Sequence, residues 1–160
     1  MKKQIRTIRR WIIIFIIALI LSGATAIPAE TELSFVTGLF PAGSVVGDWL
    51  GKIYQGLVTT NKEYPFLAYG YDWLAFAHIV LAILFIGPLQ NPVRNKWVIE
   101  FGMIACLLII PFALIAGHFR EIPFWWQLID CSFGIIGLVP LGICLRKISA
   151  IESSNDQTYY

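Results

Sequence analysis

Four long apolar stretches, at residues 11–27, 67–89, 97–117 and 124–145, leave this chain few ways to fold. A helix rising about 1.5 Å per residue needs roughly 20 apolar residues to cross about 30 Å of hydrocarbon. Each stretch is close to that length. The sequence therefore predicts an all-α integral membrane protein, a four-helix transmembrane bundle forming a single domain over residues 1–150. Composition agrees, with 58% hydrophobic and 14% charged residues, where a soluble domain carries roughly 25% charged.

The basic residues set the expected topology. Lys2, Lys3, Arg6, Arg9 and Arg10 precede the first stretch, Arg94 and Lys96 lie between the second and third, and Arg146 and Lys147 follow the fourth. Lys52, Lys62 and Arg120 fall on the opposite side. Nine of the 12 basic residues thus share one side, which by the positive-inside rule predicts a multi-pass protein with both termini in the cytoplasm, in a bacterial inner membrane. Interfacial aromatics agree, Trp11 and Trp97 marking the inner boundary and Tyr69, Tyr71, Trp73, Trp125 and Trp126 the outer one. The net charge of +2 is small and forms no basic surface, so nucleic acid is not an expected partner.

The first stretch also fits a secretory signal, since Ala24-Thr25-Ala26 has the A-x-A form of a cleavage site. Removal of residues 1–26 would leave three spans. The apolar run continues through Ile27, however, and Pro28 is a poor mature terminus, so an uncleaved anchor is the reading adopted.

Residues 28–66 form the expected exported loop, too short to bury a core alone. Within it Val45, Val46, Trp49, Leu50, Ile53, Tyr54, Leu57 and Val58 recur at helical spacing, with Asp48, Lys52, Gln55 and Thr59 opposite. This predicts an amphipathic helix over about 44–60, bent in at Pro41 and Gly43, capped by Ser44 and stopped at Asn61. Its apolar face, Trp49, Ile53, Tyr54 and Leu57, is the candidate partner-docking surface. The short connections at 87–95 and 118–123 make the last three spans antiparallel neighbours. Ala113 with Gly117, and Gly134 with Gly137, offer close-approach surfaces. Pro111 and Pro140 each remove a helical hydrogen bond inside a span. Residues 151–160, rich in Ser, Asn, Asp and Gln, read as a disordered cytoplasmic tail.

Ionisable residues within spans are costly and point to function. Asp72, His78, His118, Arg120 and Asp130 all fall in the expected outer half, and antiparallel packing predicts similar depths for His78 and Asp130. A His–Asp pair facing the bundle interior has the ingredients of a proton relay or polar ligand site. Each residue also has a plainer role. Asp72 suits the positive end of a helix dipole, His118 and Arg120 suit a wet turn, and His78 suits an interhelical hydrogen bond. Asp130 must find a partner such as His78, Arg120 or His118, or carry a proton. Glu100 reads as a helix-start anion near Arg94 and Lys96.

Haem ligation by both histidines is disfavoured, because His118 near the surface and His78 deeper in its span differ in depth by roughly 9–12 Å. Cys106, Cys131 and Cys144 lie within spans without a C-x-x-C spacing, so no disulfide framework or thiol redox centre is expected. No phosphate-binding glycine loop, G-x-S-x-G or H-E-x-x-H motif is present. No metal or other cofactor is expected. The leading expectation is a non-enzymatic accessory or structural subunit that binds lipid, other membrane subunits or itself. A small transport or proton-conducting unit built on the polar cluster is the alternative, and a membrane redox or lipid-modifying enzyme is the third.

Overall fold

The structure, a computed structural model, describes residues 2–41 and 43–156. It is helical throughout, with no strand among the described residues. The elements are α1 (Lys2–Ala26), α2 (Ala29–Thr37), α3 (Val45–Glu63), a 3-10 turn (Pro65–Ala68), α4 (Tyr69–Leu84), α5 (Ile86–Gln90), α6 (Lys96–Phe119) and α7 (Phe124–Asp156). Four stretches are long and apolar enough to cross a membrane: Lys2–Ala26, Pro65–Gln90, Lys96–Phe119 and Phe124–Ser154. The all-helical class and the four span-length helices agree with the sequence reading.

By internal contacts the chain divides into two units, one of residues up to Ile17 together with Ala82 onward, the other an inserted unit, Ala18–Leu81. In the first, α6 and α7 form an antiparallel hairpin joined by the early part of α1 and by α5. Ile8, Ile12, Phe85, Val98, Ile99, Leu141, Cys144 and Ile148 are each at most 2% exposed and make its core. Phe15 stacks at a tilt on Phe85, ring centroids 4.7 Å apart. Arg9 donates to the Gln90 carbonyl at 2.9 Å and Cys144 Sγ to the Ile8 carbonyl at 3.7 Å, fixing α1 at both heights.

Small residues set the spacing of the hairpin. In lipid the attraction between helices comes from packing rather than from release of water, so close backbone approach matters. A Cβ on Gly134 would collide with the Cys106 carbonyl, one on Gly137 would lie 2.6 Å from Cys106 Sγ, and one on Gly102 2.7 Å from Phe85. Gly134 and Gly137 are therefore packing glycines, and Gly102 joins them. Gly117 is covered instead by Gln127, which is 7% exposed and donates to the Ile122 carbonyl at 2.7 Å.

The turn between α6 and α7 is a Schellman cap. Ile122 N–H reaches the Gly117 carbonyl at 2.9 Å and Glu121 N–H the His118 carbonyl at 3.2 Å, the two bonds that define the motif. Glu121 occupies the left-handed position with φ 55°, where glycine is usual. Pro123 then starts α7, its carbonyl accepting from Trp126 and Gln127 N–H.

Two boundaries differ from those the sequence suggested. The second span is not one helix: it begins with the 3-10 turn and breaks at Phe85 between α4 and α5. Pro88 has no N–H to give to the Leu84 carbonyl, so the ladder cannot run through. At the other end α7 continues to Asp156, so residues 151–156, expected in a disordered tail, are helical. The reason is a buried stripe: Leu141, Cys144, Ile148 and Ile151 follow at helical spacing and are all buried. Lys96 Nζ meets Glu152 Oε2 at 2.9 Å and anchors the extension to the start of α6. The rest of that tail, residues 157–160, lies outside the described residues. Pro111 and Pro140 both sit inside continuous helices.

In the inserted unit α2 and α3 pair as a short helical hairpin. Nothing in the sequence reading anticipated α2, whose Glu30 and Glu32 occupy its first turn, the end that favours acids. Ser44 caps α3, its Oγ accepting from Gly47 N–H at 3.1 Å, after a turn in which Gly43 takes φ 83°. Asp48 closes the turn by accepting from Gly43 N–H at 2.9 Å. The helix does not stop at Asn61 but runs to Glu63, ending before Pro65, whose ring restricts the residue ahead of it. The late part of α1 meets α4 at Gly23, where a Cβ would lie 2.9 Å from both the Ala75 carbonyl oxygen and His78 Cβ.

Candidate functional site

The five polar residues divide between the units. Asp72 and His78 stand on α4 in the inserted unit, and His118, Arg120 and Asp130 belong to the first. Within each unit, among the described residues, no hydrogen bond or ion pair joins two of them. His78 is half-buried beside Gly23, and its Nδ1 donates to the Leu74 carbonyl at 2.8 Å. That bond fixes the proton on Nδ1 and leaves Nε2 as the acceptor in the neutral ring. His118 and Arg120 are exposed at the Schellman turn, with the His118 ring edge-on to Phe119 at 5.8 Å. Asp130 is half-buried in α7, and no hydrogen bond or ion pair links it to another described residue. Glu100 is exposed in the early part of α6, and the partner Lys96 takes is Glu152.

On α3, Trp49, Ile53, Tyr54 and Leu57 are half-buried and Leu50 is buried, whereas Asp48, Lys52, Gln55 and Thr59 are exposed. Lys52 Nζ lies 5.8 Å from the Trp49 ring centroid, within reach of a cation–π attraction. A groove of about 420 Å³ runs between α2 and α3, lined by Thr37, Phe40, Asp48, Lys52 and Gln55 with two glycines. The apolar residues that stand clear in this region include Phe35, 71% exposed, on α2, Leu39, 63%, in the turn after it, and Val45, 72%, at the start of α3.

A polar network lies where the sequence reading placed only a helix stop. Asn61 Nδ2 donates to Glu30 Oε2 at 2.9 Å, and Asn61 Oδ1 accepts from the Tyr71 hydroxyl at 2.7 Å. One amide thereby ties α2, α3 and α4 together. No spacing rule could show this, because Glu30 and Asn61 are 31 residues apart.

Another concavity is on α4. Tyr69, Asp72, Trp73 and Phe76 line a groove of about 280 Å³. Their spacing puts all four on one helical face. The rings meet edge to face, Tyr69 with Trp73 at 5.8 Å and Trp73 with Phe76 at 5.5 Å, the arrangement their quadrupoles favour. The sequence reading took Tyr69 and Trp73 as boundary aromatics and Asp72 as a helix-start anion. The i, i+3, i+4 and i+7 spacing of the four is itself legible in the sequence.

Among the described residues no three His, Cys, Asp or Glu side chains converge as a metal site. Cys106, Cys131 and Cys144 are free thiols and buried, and Cys131 Sγ reaches the Ile110 carbonyl at 3.8 Å. No protein-family model matches this chain, and no curated protein or solved structure is significantly similar to it.

Proposed function

We propose that this chain is a small multi-pass inner-membrane protein with both termini in the cytoplasm, serving as a non-enzymatic accessory or structural subunit that binds other membrane proteins or lipid. One observation carries the reading. Only 17 to 28% of the most apolar window of each span-length helix is buried within the chain. Helices so little covered by their own neighbours offer most of their surface to lipid or to the spans of a partner. The basic residues support the orientation. The one-sided burial of α3 supports an amphipathic helix in an exported segment.

Native mass spectrometry of the full-length chain, extracted in mild detergent from its host, tests this. Companion chains in fixed stoichiometry are expected, and their identity defines the assembly. Phe35 and Leu39 stand more exposed than the α3 face, so Phe35→Ser with Leu39→Ser should release a companion without disturbing the fold. Trp49→Ser with Ile53→Ser should disturb both. A lone homo-oligomer that carries current or protons across vesicles would overturn the reading.

That outcome belongs to the second reading, a small ion- or proton-conducting unit. Asp130 favours it as a half-buried carboxylate within a span-length helix and unpartnered among the described residues, a placement expensive enough to suggest use. Asp130→Asn would then abolish conductance and leave insertion intact. Under the accessory reading the same change leaves companion binding unaltered.

A further inference from the structure

We propose that the α4 groove is a lipid-headgroup site selective for a zwitterionic lipid bearing a primary ammonium, of the phosphatidylethanolamine class. The inference rests on Pro65–Gln90 crossing a membrane, the part of the functional reading it shares.

Three aromatic rings and one carboxylate share this face. Tyr69 is 63% exposed, and Trp73 and Phe76 are each 54% exposed. The rings are thus fixed against each other by edge contacts while leaving aromatic surface open. An aromatic face attracts an organic cation through its quadrupole, Trp most strongly. Asp72 is exposed within the ring cluster, and no hydrogen bond or ion pair ties it to another described residue. A carboxylate framed by π-surface complements an ammonium, and its acceptor oxygens can take the N–H donors a primary ammonium carries.

The same face argues that the ammonium belongs to a lipid. Below Phe76 the stripe continues through Ile79 and Val80, both exposed. An amine at Asp72 therefore has an apolar track beneath it for acyl chains, which a free small amine would leave bare. Asp72 and Trp73 lie in the first two turns of α4, the end where an aromatic belt meets headgroups. The sign of the charge also discriminates. A net-negative glycerol-phosphate headgroup would face Asp72 across the same groove and be repelled.

The test uses the purified full-length chain in mild detergent with equal amounts of phosphatidylethanolamine and phosphatidylglycerol of identical acyl chains, read by native mass spectrometry. Enrichment of the ethanolamine lipid over the glycerol lipid by roughly three- to tenfold is expected, the size of one exposed cation–π contact plus one exposed charge pair. Asp72→Asn and, independently, Trp73→Leu should bring the ratio near unity. Asp72→Glu should keep it, as should Glu32→Gln, which removes an exposed carboxylate elsewhere in the inserted unit. Equal retention of the two lipids by the wild type, or an enrichment unchanged in both Asp72→Asn and Trp73→Leu, would overturn the proposal. The accessory reading is judged on companion chains from the host and this one on defined lipids, so either can fail alone.

Discussion

Tyr71 gives its hydroxyl proton to Asn61 Oδ1 over 2.7 Å, and through that amide it is linked to Glu30 on a third helix. Each bond is modest alone, about 1 kcal/mol net, but leaving a partner unpaired costs more. Asn61 is the shared member, so its loss exposes two partners at once. Tyr71→Phe should lower the stability of the α2–α3–α4 contact by about 1 kcal/mol, and Asn61→Ala by about 2–3 kcal/mol. Hydrogen exchange of the α2 and α3 amides in detergent would show this, faster in Asn61→Ala than in Tyr71→Phe.

Gly134 is the tightest point of the α6–α7 hairpin, its missing side chain lying against the backbone carbonyl of Cys106. Backbone cannot move aside as a side chain can. Gly134→Ala is expected to destabilise the hairpin by about 1–3 kcal/mol, the usual cost of overpacking. Gly142→Ala, where nothing lies within 4 Å of the added carbon, should raise stability by about 0.5–1 kcal/mol, the entropic gain of replacing a mid-helix glycine. Comparing the two in a detergent-unfolding titration separates steric cost from the general effect of replacing glycine.

Glu121 holds the left-handed position of the cap with φ 55°. That conformation costs an L-residue about 1–2 kcal/mol, part of which glycine recovers after its own loss of freedom on folding. Glu121→Gly should raise stability by about 0.5–1 kcal/mol. Glu121→Val, β-branched at the same φ, should lower it. Thermal unfolding followed by circular dichroism gives both signs.

The Lys96–Glu152 pair is partly exposed, 31% and 38% on its two side chains. An exposed pair of this kind is weak and fades in salt. Glu152→Gln should quicken exchange of the amides in the last two turns of α7 while leaving the core unchanged. Lys96→Gln should do the same, and the double variant no more.

The large features were legible because lipid imposes a simple rule on sequence. Residues 97–117 read as a span and α6 covers them, since an apolar run interrupted only by Glu100 near its start has no other stable form in hydrocarbon. Local chemistry was legible too: Gly43 turns the chain and Ser44 caps α3 by hydrogen bonds to near neighbours. The end of α7 was misread because polar Ser and Asn outweighed Ile148 and Ile151, which continue the buried stripe. The break at Phe85 does not show in an apolar run that reads straight through residues 67–89, whereas Gly87 and Pro88 lie inside a separate short helix, α5. The Glu30–Asn61–Tyr71 network was out of reach, depending on how three helices meet. Of the polar cluster, residue type and helix could be read, but not which ring or carbonyl each side chain meets, since helix rotation is set by packing.

The core of the first unit is assembled from helices far apart in sequence, α1 and α7. Cys144 reaches the carbonyl of Ile8 across 136 residues, so during synthesis the early part of α1 waits, its α7 partners unmade, until the middle of α7 has left the ribosome. The inserted unit needs only residues 18–81 and can form first. Ile8 and Ile12 therefore lack their α7 packing in the nascent protein, and a chain truncated before α7 would keep that vacancy permanently.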